Sequence, residues 1–81
     1  MMYKLLVGQN QWLRVEYLGV EKRQSLYQVV EVHRCPQIKQ GDMLREYMGM
    51  FVAYSDAEAT RPRYRLPSHT TIEYDDEDEE E

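Results

Sequence analysis

His33 and Cys35 are the two side chains of this sequence whose types and spacing come nearest to a catalytic pair. A thiol and an imidazole two residues apart on a strand face the same side, as a Cys–His nucleophile requires. Pro36 follows directly and turns the chain, and no third group is placed to orient the imidazole. A lone cysteine more commonly behaves as a small buried apolar side chain. We therefore predict no catalytic residues and a protein that is not an enzyme.

Metal and cofactor sites also lack their usual residue spacing. The chain has one Cys and two His, with no C-x-x-C and no H-x-x-x-H pattern, whereas a zinc site takes about four such ligands. The four glycines, at positions 8, 19, 41 and 49, form no phosphate-binding loop pattern. We expect neither a metal nor a cofactor.

Residues 61–65, Arg-Pro-Arg-Tyr-Arg, bring three guanidinium groups and an aromatic ring together. An extended backbone places Arg61, Arg63 and Arg65, which we call the arginine strip, on one side. Guanidinium groups bind phosphates and carboxylates through paired hydrogen bonds. With Tyr64, or nearby Tyr54 and Trp12, as stacking surfaces, the segment has the composition of a site for single-stranded nucleic acid. The alternative is a solvated loop whose arginines pair with nearby acids.

The last seven residues, 75–81, are all Asp or Glu. Such a run repels itself and offers no apolar side chains for packing, so we predict a disordered acidic tail after a single folded domain of residues 1–74. The whole chain has 10 Lys and Arg against 15 Asp and Glu, a net charge of −5, but without the tail only 8 acids remain. The folded part is therefore slightly basic, and the tail is placed to compete with anions for the arginine strip.

Aromatic side chains are more numerous than a small core requires. The chain contains 7 Tyr, 1 Trp, 1 Phe and 5 Met, and Tyr, Trp, Met and Arg are enriched at protein interfaces. If Leu13 and Val15 point into the core, Trp12 and Tyr27 lie on the opposite face of the sheet and need a cover. We predict that this aromatic face contacts a protein partner or a second copy of the chain.

The elements that carry these residues are predicted to be β-strands. Residues 2–7 and 11–18 alternate with a period of two on either side of a turn at 8–10, which indicates a hairpin. Residues 26–33 are rich in β-branched and aromatic types and form a third strand, ended at Pro36. Segment 42–54 fits both a strand and a helix. A strand with Gly49 as a bulge is favoured, because an interior glycine costs a helix about 1 kcal/mol.

Together with a loop over 55–67 and a last strand over 70–74, these elements predict a mainly β protein. The expected architecture is a small antiparallel meander sheet or partly open barrel of four to five strands. The alternative is an α+β fold, with one helix near 42–54 packed on the sheet.

The predicted function is that of a small interaction module, binding a protein partner or itself through an aromatic sheet face. The expected contact residues are Trp12, Tyr27, Arg61, Arg63, Tyr64 and Arg65. The alternative is a nucleic-acid-associated protein that uses the arginine strip, with the acidic tail limiting non-specific binding.

The location follows from the first residues and from the single thiol. The apolar run at residues 5–7 is too short for a signal peptide or a membrane span. A lone cysteine fits a reducing compartment. We therefore expect a cytoplasmic protein without membrane contact.

Overall fold

The computed structural model describes residues 1–55 and 61–75, and these residues form strands, turns and loops without a helix. The seven strands are β1 (Met2–Gly8), β2 (Gln11–Glu21), β3 (Gln24–His33), β4 (Met43–Tyr47), β5 (Met50–Tyr54), β6 (Tyr64–Arg65) and β7 (Thr71–Tyr74). The predicted mainly β class is confirmed, although the number of strands exceeds the expected four to five.

All seven strands belong to one antiparallel sheet in the order β6-β5-β4-β3-β2-β1-β7. Only residues 66–70 link the two edge strands, and a connection of this length spans at most about 20 Å. The edges of a flat seven-stranded sheet would lie about 29 Å apart. The sheet therefore curls into a half-barrel, with an inner face that holds the core and an outer face.

Segment 42–54 is a hairpin made of β4 and β5 rather than one bent strand. The two strands pair from Met43 with Tyr54 to Tyr47 with Met50. Met48 and Gly49 between them have φ angles of 52° and 86°, as a type I′ turn requires at both central residues. The helix alternative for this segment is wrong, and Gly49 is a turn residue rather than a bulge.

The alternation of faces along β3 is interrupted at Val30. Arg14 of β2 pairs with Glu31 and Val15 pairs with Val29, so Val30 is an extra residue without a direct partner. A bulge of this kind shifts the side-chain alternation by one position. The two ends of β3 therefore follow different alternation patterns.

Because of this bulge, Tyr27 lies on the inner face. Val32, on one side of the bulge, and Val29 and Tyr27, on the other, all contact the core, and Tyr27 is only 7% exposed. Trp12 precedes the fully buried Leu13 on β2 and so faces outward. The prediction that Trp12 and Tyr27 share one exposed face is therefore wrong.

A single apolar cluster fills the inner side of the curl. Its strand residues are Leu5, Val7, Leu13, Val15, Tyr27, Val29, Leu44, Phe51 and Ala53. Cys35 and Ile38, from the loop after β3, and Leu66, from the link before β7, close this cluster from the open side. Two short loops thus take the place of the strands that would complete a barrel.

Asp75, the first residue of the acidic run, continues the pairing of β7 with β1 by one residue. Its N–H donates to the carbonyl oxygen of Met2 at 3.1 Å. The rest of the predicted tail, 76–81, and residues 56–60 of the predicted loop lie outside the described residues. In the part of the chain that is described, no helix has the length and apolar character that crossing a membrane requires.

Candidate functional site

Four tyrosines form a connected set of rings on the inner face, and we call this set the tyrosine face: Tyr3, Tyr17, Tyr27 and Tyr74. The ring of Tyr3 is at its centre, with centroids 6.3 Å from Tyr17, 6.0 Å from Tyr27 and 5.8 Å from Tyr74. The interplanar angles of 77°, 85° and 78° are edge-to-face, an arrangement that aromatic pairs favour. Each ring therefore helps to fix the orientation of its neighbours.

Strand register explains why these rings meet. Tyr17 lies directly opposite Tyr27 across β2 and β3, and Tyr3 lies directly opposite Tyr74 across β1 and β7. Directly opposite residues of antiparallel strands point to the same face. The ring of Phe51, 6.3 Å from that of Tyr27, continues the row into the core.

Exposure increases along the tyrosine face from the core to the edge strand. Tyr27 is 7% exposed, Tyr3 and Tyr17 are partly buried, and Tyr74 is 51% exposed. Ile72, also on β7, is 38% exposed. The loops that close the core therefore leave the β7 side of the inner face open to solvent.

The hydroxyl group of Tyr27 stays protonated at neutral pH. Burial raises the pKa of Tyr27, the negative charge of Glu46 raises it further, and a hydrogen bond with Ser25 offsets part of this rise. A neutral phenol is a poor base and a poor nucleophile. Tyr27 therefore contributes packing to the tyrosine face.

Trp12 lies on the outer face, between two of its cross-strand neighbours. The ring of His33 stacks on it with centroids 5.0 Å apart and 10° between the planes. The Nζ atom of Lys4 is 4.6 Å from the centroid of the indole, a distance at which a cation is attracted to the ring. The sequence predicts that another group covers Trp12. His33 and Lys4, which belong to the same sheet, provide part of that cover.

His33 and Cys35 lie on different sides of the chain. Arg34 between them has a φ of 61°, in the left-handed region, which redirects the backbone. Cys35 is buried, its Sγ lies 3.4 Å from the carbonyl oxygen of His33, and burial raises the pKa of its thiol. The structure therefore does not bring the imidazole and the thiol together, and the thiol remains protonated at neutral pH.

Arg63 of the arginine strip is bound within the protein. Its Nη1 lies 2.5 Å from Oδ2 of Asp42, and its Nη2 donates to the carbonyl oxygen of Gln37 at 3.3 Å. Asp42 is only 5% exposed. Both terminal nitrogens of the Arg63 guanidinium group therefore bind groups of the protein itself, whereas the sequence predicts that they bind a partner.

The other residues of segment 61–65 point in different directions. Tyr64 lies opposite Ala53 and packs against the core, whereas Arg65 faces outward and is exposed, as is Arg61. All three arginines of the strip are exposed, but only Arg63 is ion-paired with Asp42 among the described residues. The partner contacts predicted for Trp12 and Tyr27 and for residues 61–65 stay predictions.

A second group of cationic and aromatic side chains lies on the outer face. Val52 of β5 has Arg45 directly opposite on one side and Arg65 directly opposite on the other. The guanidinium carbon of Arg45 lies 5.4 Å from the ring centroid of Tyr54. We call Arg45, Tyr54 and Arg65 the outer arginine patch. The sequence indicates Tyr54 as a stacking surface but does not single out Arg45.

Comparison with known proteins gives no match: no family model, no curated protein and no solved structure matches the chain. No family is therefore shown. Within residues 1–55 and 61–75, no group of three or more His, Cys, Asp or Glu side chains is placed to hold a metal ion. The surfaces of the sheet are therefore the features of this structure that bear on function.

Sequence reasoning missed the tyrosine face as a connected set. Alternation places Tyr3 with Leu5 on β1 and Tyr17 with Val15 on β2, so both are expected on the core-facing side. Tyr74 could not be placed, because its position next to Tyr3 depends on β7 returning to pair with β1.

Proposed function

We propose that this protein is a non-enzymatic interaction module that binds a protein partner through the tyrosine face. The observation that carries the proposal is the unbroken ring contact from the buried Tyr27 through Tyr3 to the half-exposed Tyr74. Rings already held by edge-to-face contacts lose little side-chain entropy when a partner packs on them. The tyrosine face is therefore a preorganised contact surface.

Neighbouring apolar side chains widen this surface. Ile72 is 38% exposed beside Tyr74, and Val20 is 65% exposed. Val20 lies opposite Ser25, which is one of the inner-face neighbours of Tyr27. An apolar centre with phenol hydroxyl groups around it has the composition of a protein interface core.

The reactive groups near the core support binding rather than catalysis. The pKa values of Tyr27 and Cys35 are both raised by burial, so neither side chain supplies an anionic nucleophile at neutral pH. A lone thiol suits a reducing compartment, and we propose a cytoplasmic location on that ground.

Site-specific photo-cross-linking in cells tests this function. p-Benzoylphenylalanine replaces Tyr74 in the full chain, and a matched variant carries it at Tyr47, which is 43% exposed and lies outside the tyrosine face. We expect adducts of defined mass from position 74 that are absent from position 47. Equal adduct formation at both positions, or none at position 74, would contradict the proposal.

A second function, association with single-stranded nucleic acid, is supported by the outer arginine patch. Arg45 and Arg65 flank the same strand, and the ring of Tyr54 lies beneath one of them. Guanidinium groups beside an aromatic ring are suited to phosphates and stacked bases. We place this function second because Arg63 is bound to Asp42.

A further inference from the structure

The β2–β3 turn and the β4–β5 turn lie side by side at one end of the sheet. Ser25 of β3 pairs with Glu46 of β4, so the residues just before β3 lie beside those just after β4. Of the nine exposed large hydrophobic side chains among the described residues, four lie at this end, so exposed apolar surface is concentrated there. We call the following residues the hairpin ends: Val20, Lys22, Arg23, Tyr47, Met48 and Met50.

The residue types in these turns are not those that the backbone favours. Met48 has a φ of 52°, and Lys22 and Arg23 have φ angles of 54° and 68°. Asn, Asp and Gly are preferred at such positions, and other residues adopt these angles at an energetic cost. Met48 is also 80% exposed, so its side chain adds nothing to the core. Departures from local preference of this kind are expected where side chains serve function.

The cations of the hairpin ends are available, whereas the nearest acids are bound within the protein. Oε1 of Glu21 lies 3.7 Å from Nη1 of Arg45, and Oε2 of Glu46 accepts the N–H of Gly49 at 2.9 Å. Lys22 and Arg23 are exposed and form no ion pair with another described residue. The β2–β3 turn therefore presents two uncompensated cations.

Hydrophobic side chains surround this end on both faces of the sheet. Tyr47 and Met50 lie directly opposite each other on the outer face, and Val20, opposite Ser25, lies on the inner face. Met48 is at the apex of its turn. A protein segment laid on one face leaves the other face uncovered, whereas a lipid interface surrounds an end that enters it. The placement therefore favours a membrane surface as the occupant.

The described acid at the start of the acidic run is distant from these cations. The N–H of Asp75 donates to the carbonyl oxygen of Met2, and Met2 pairs with Glu16, six residues before Lys22. Six residues of a bulged strand span about 15 to 20 Å, roughly twice the screening length of about 8 Å at physiological ionic strength. Asp75 therefore has little effect on the attraction of Lys22 and Arg23 for anions.

We propose that the hairpin ends dock this protein on the surface of an anionic phospholipid membrane. Met48, with Tyr47 and Met50, enters the headgroup region, and Lys22 and Arg23 contact the anionic headgroups. The expectation of no membrane contact rested on the absence of a signal peptide and a spanning segment, and docking requires neither. Docking goes beyond the proposed function, because it leaves the tyrosine face open to a protein partner.

Flotation of the full chain with lipid vesicles tests the docking. One set of vesicles contains equal amounts of phosphatidylcholine and phosphatidylserine, and the other contains phosphatidylcholine alone. We expect binding to the anionic vesicles to be about 20-fold stronger, since each of two cations contributes about fivefold near an anionic leaflet.

Variants of Met48 test the apolar contact without weakening the fold. Met48→Asn places a favoured residue in the turn and removes the apolar side chain from its apex. We expect its binding to the anionic vesicles to be about tenfold weaker, while urea denaturation shows no loss of stability. Met48→Leu keeps an apolar side chain of similar size, and its binding should stay within about twofold of the parent.

Arg23→Gly and Arg34→Gly form a matched pair for the charge contact. Both remove an exposed arginine from a positive φ, of 68° and 61°, but Arg34 follows the opposite end of β3. We expect Arg23→Gly to bind the anionic vesicles about fivefold more weakly and Arg34→Gly to bind as the parent does.

Four results would overturn docking. The first two are no flotation of the full chain with the anionic vesicles and undiminished binding by Met48→Asn. The third is equal weakening by Arg23→Gly and Arg34→Gly, which would show a general attraction of cations rather than a site. The fourth is protein adducts at position 47 in the cross-linking experiment, because they would assign the hairpin ends to a protein partner.

Discussion

Arg63 and Asp42 form an ion pair with Nη1 and Oδ2 2.5 Å apart. The same carboxylate oxygen accepts the backbone N–H of Lys39 at 2.9 Å. The pair joins the loop that carries Cys35 and Ile38 to the segment that enters β6, and both of those side chains close the core. Arg63 therefore fixes the loop whose Cys35 and Ile38 side chains close the core.

Replacing Arg63 with Ala removes the cation from a carboxylate that is 5% exposed. We expect the free energy of unfolding to fall by about 2 kcal/mol, because a buried carboxylate left without its partner loses much of its stabilisation. Arg65→Ala is the matched control, with an expected effect of at most about 0.5 kcal/mol for an exposed side chain. Urea denaturation measures both, and equal losses would contradict the structural role of Arg63.

The turn between β2 and β3 contains two residues in an unfavourable backbone conformation. Lys22 and Arg23 have φ angles of 54° and 68°, and residues other than glycine adopt such angles at a cost of about 1 kcal/mol or more. We expect Arg23→Gly to raise the free energy of unfolding by about 0.5 to 1 kcal/mol. Gln24→Gly, in the adjoining strand, is expected to lower it by about the same amount. A loss of stability in both variants would contradict this assignment.

Tyr27 links stability to alkaline pH. Burial raises the pKa of Tyr27 in the folded state above the value of about 10 expected for the unfolded chain. The stability contributed by the protonated hydroxyl is full below about pH 10 and is lost as the pH rises toward the raised folded value. We expect Tyr27→Phe to lose less stability than the parent between about pH 10 and 11.

Urea titrations at several pH values compare the parent, Tyr27→Phe and Tyr47→Phe. Tyr47→Phe serves as the control because its ring is 43% exposed and lies outside the core. Cys35 is present in all three proteins, so its contribution cancels in the comparison. A pH dependence that is the same in Tyr27→Phe and in the parent would refute the prediction.

The strands could largely be predicted from the sequence because their side chains alternate with a period of two. The turn between β1 and β2 was also accessible, since Asn10 adopts a φ of 60° that Asn tolerates. The hairpin of β4 and β5 was read as one strand because Met48, rather than Asn or Asp, precedes Gly49 in its turn.

The candidate site was harder to predict, because it depends on register. The surplus of aromatic residues is visible in the composition, but the bulge at Val30 moves Tyr27 to the inner face. A bulge depends on how two strands pair, and the alternation of apolar and polar residues along one strand does not reveal it. Tyr74 likewise joins Tyr3 only through the return of β7. Which rings form the exposed face therefore could not be read from the sequence.

The second proposed function predicts a shallow dependence of nucleic-acid binding on salt. Arg45 and Arg65 are the two cations of the outer arginine patch, and about 0.7 counterions are released per phosphate contact to a single strand. We expect log K for a short single-stranded RNA to fall with log salt concentration with a slope of about −1.4. Arg65→Ala is expected to make this slope shallower by about 0.7, whereas Arg34→Ala, at an exposed site in another loop, leaves it unchanged.

Fluorescence anisotropy at increasing salt measures these slopes for the full chain and for a chain that ends at Asp75. Removal of the six acidic residues after Asp75 should raise the affinity, because they compete with the RNA phosphates for the same cations. No binding by either chain at low salt, or equal effects of Arg34→Ala and Arg65→Ala, would rule out the second function.

Glu73 is expected to keep the protein from pairing with itself through β7. In an antiparallel pairing of two β7 strands with Ile72 opposite Tyr74, the two Glu73 side chains lie directly opposite each other. Replacing Glu73 with Val removes these like charges and leaves a four-residue edge with apolar and β-branched side chains. We expect Glu73→Val to form dimers at concentrations at which the parent is monomeric, as measured by sedimentation. Glu16→Val is the control, because Glu16 is also an exposed acid but lies on β2, which has strands on both sides. Dimers in both variants would assign the effect to lost net charge, and a monomeric Glu73→Val would show that the edge is protected by something other than this carboxylate.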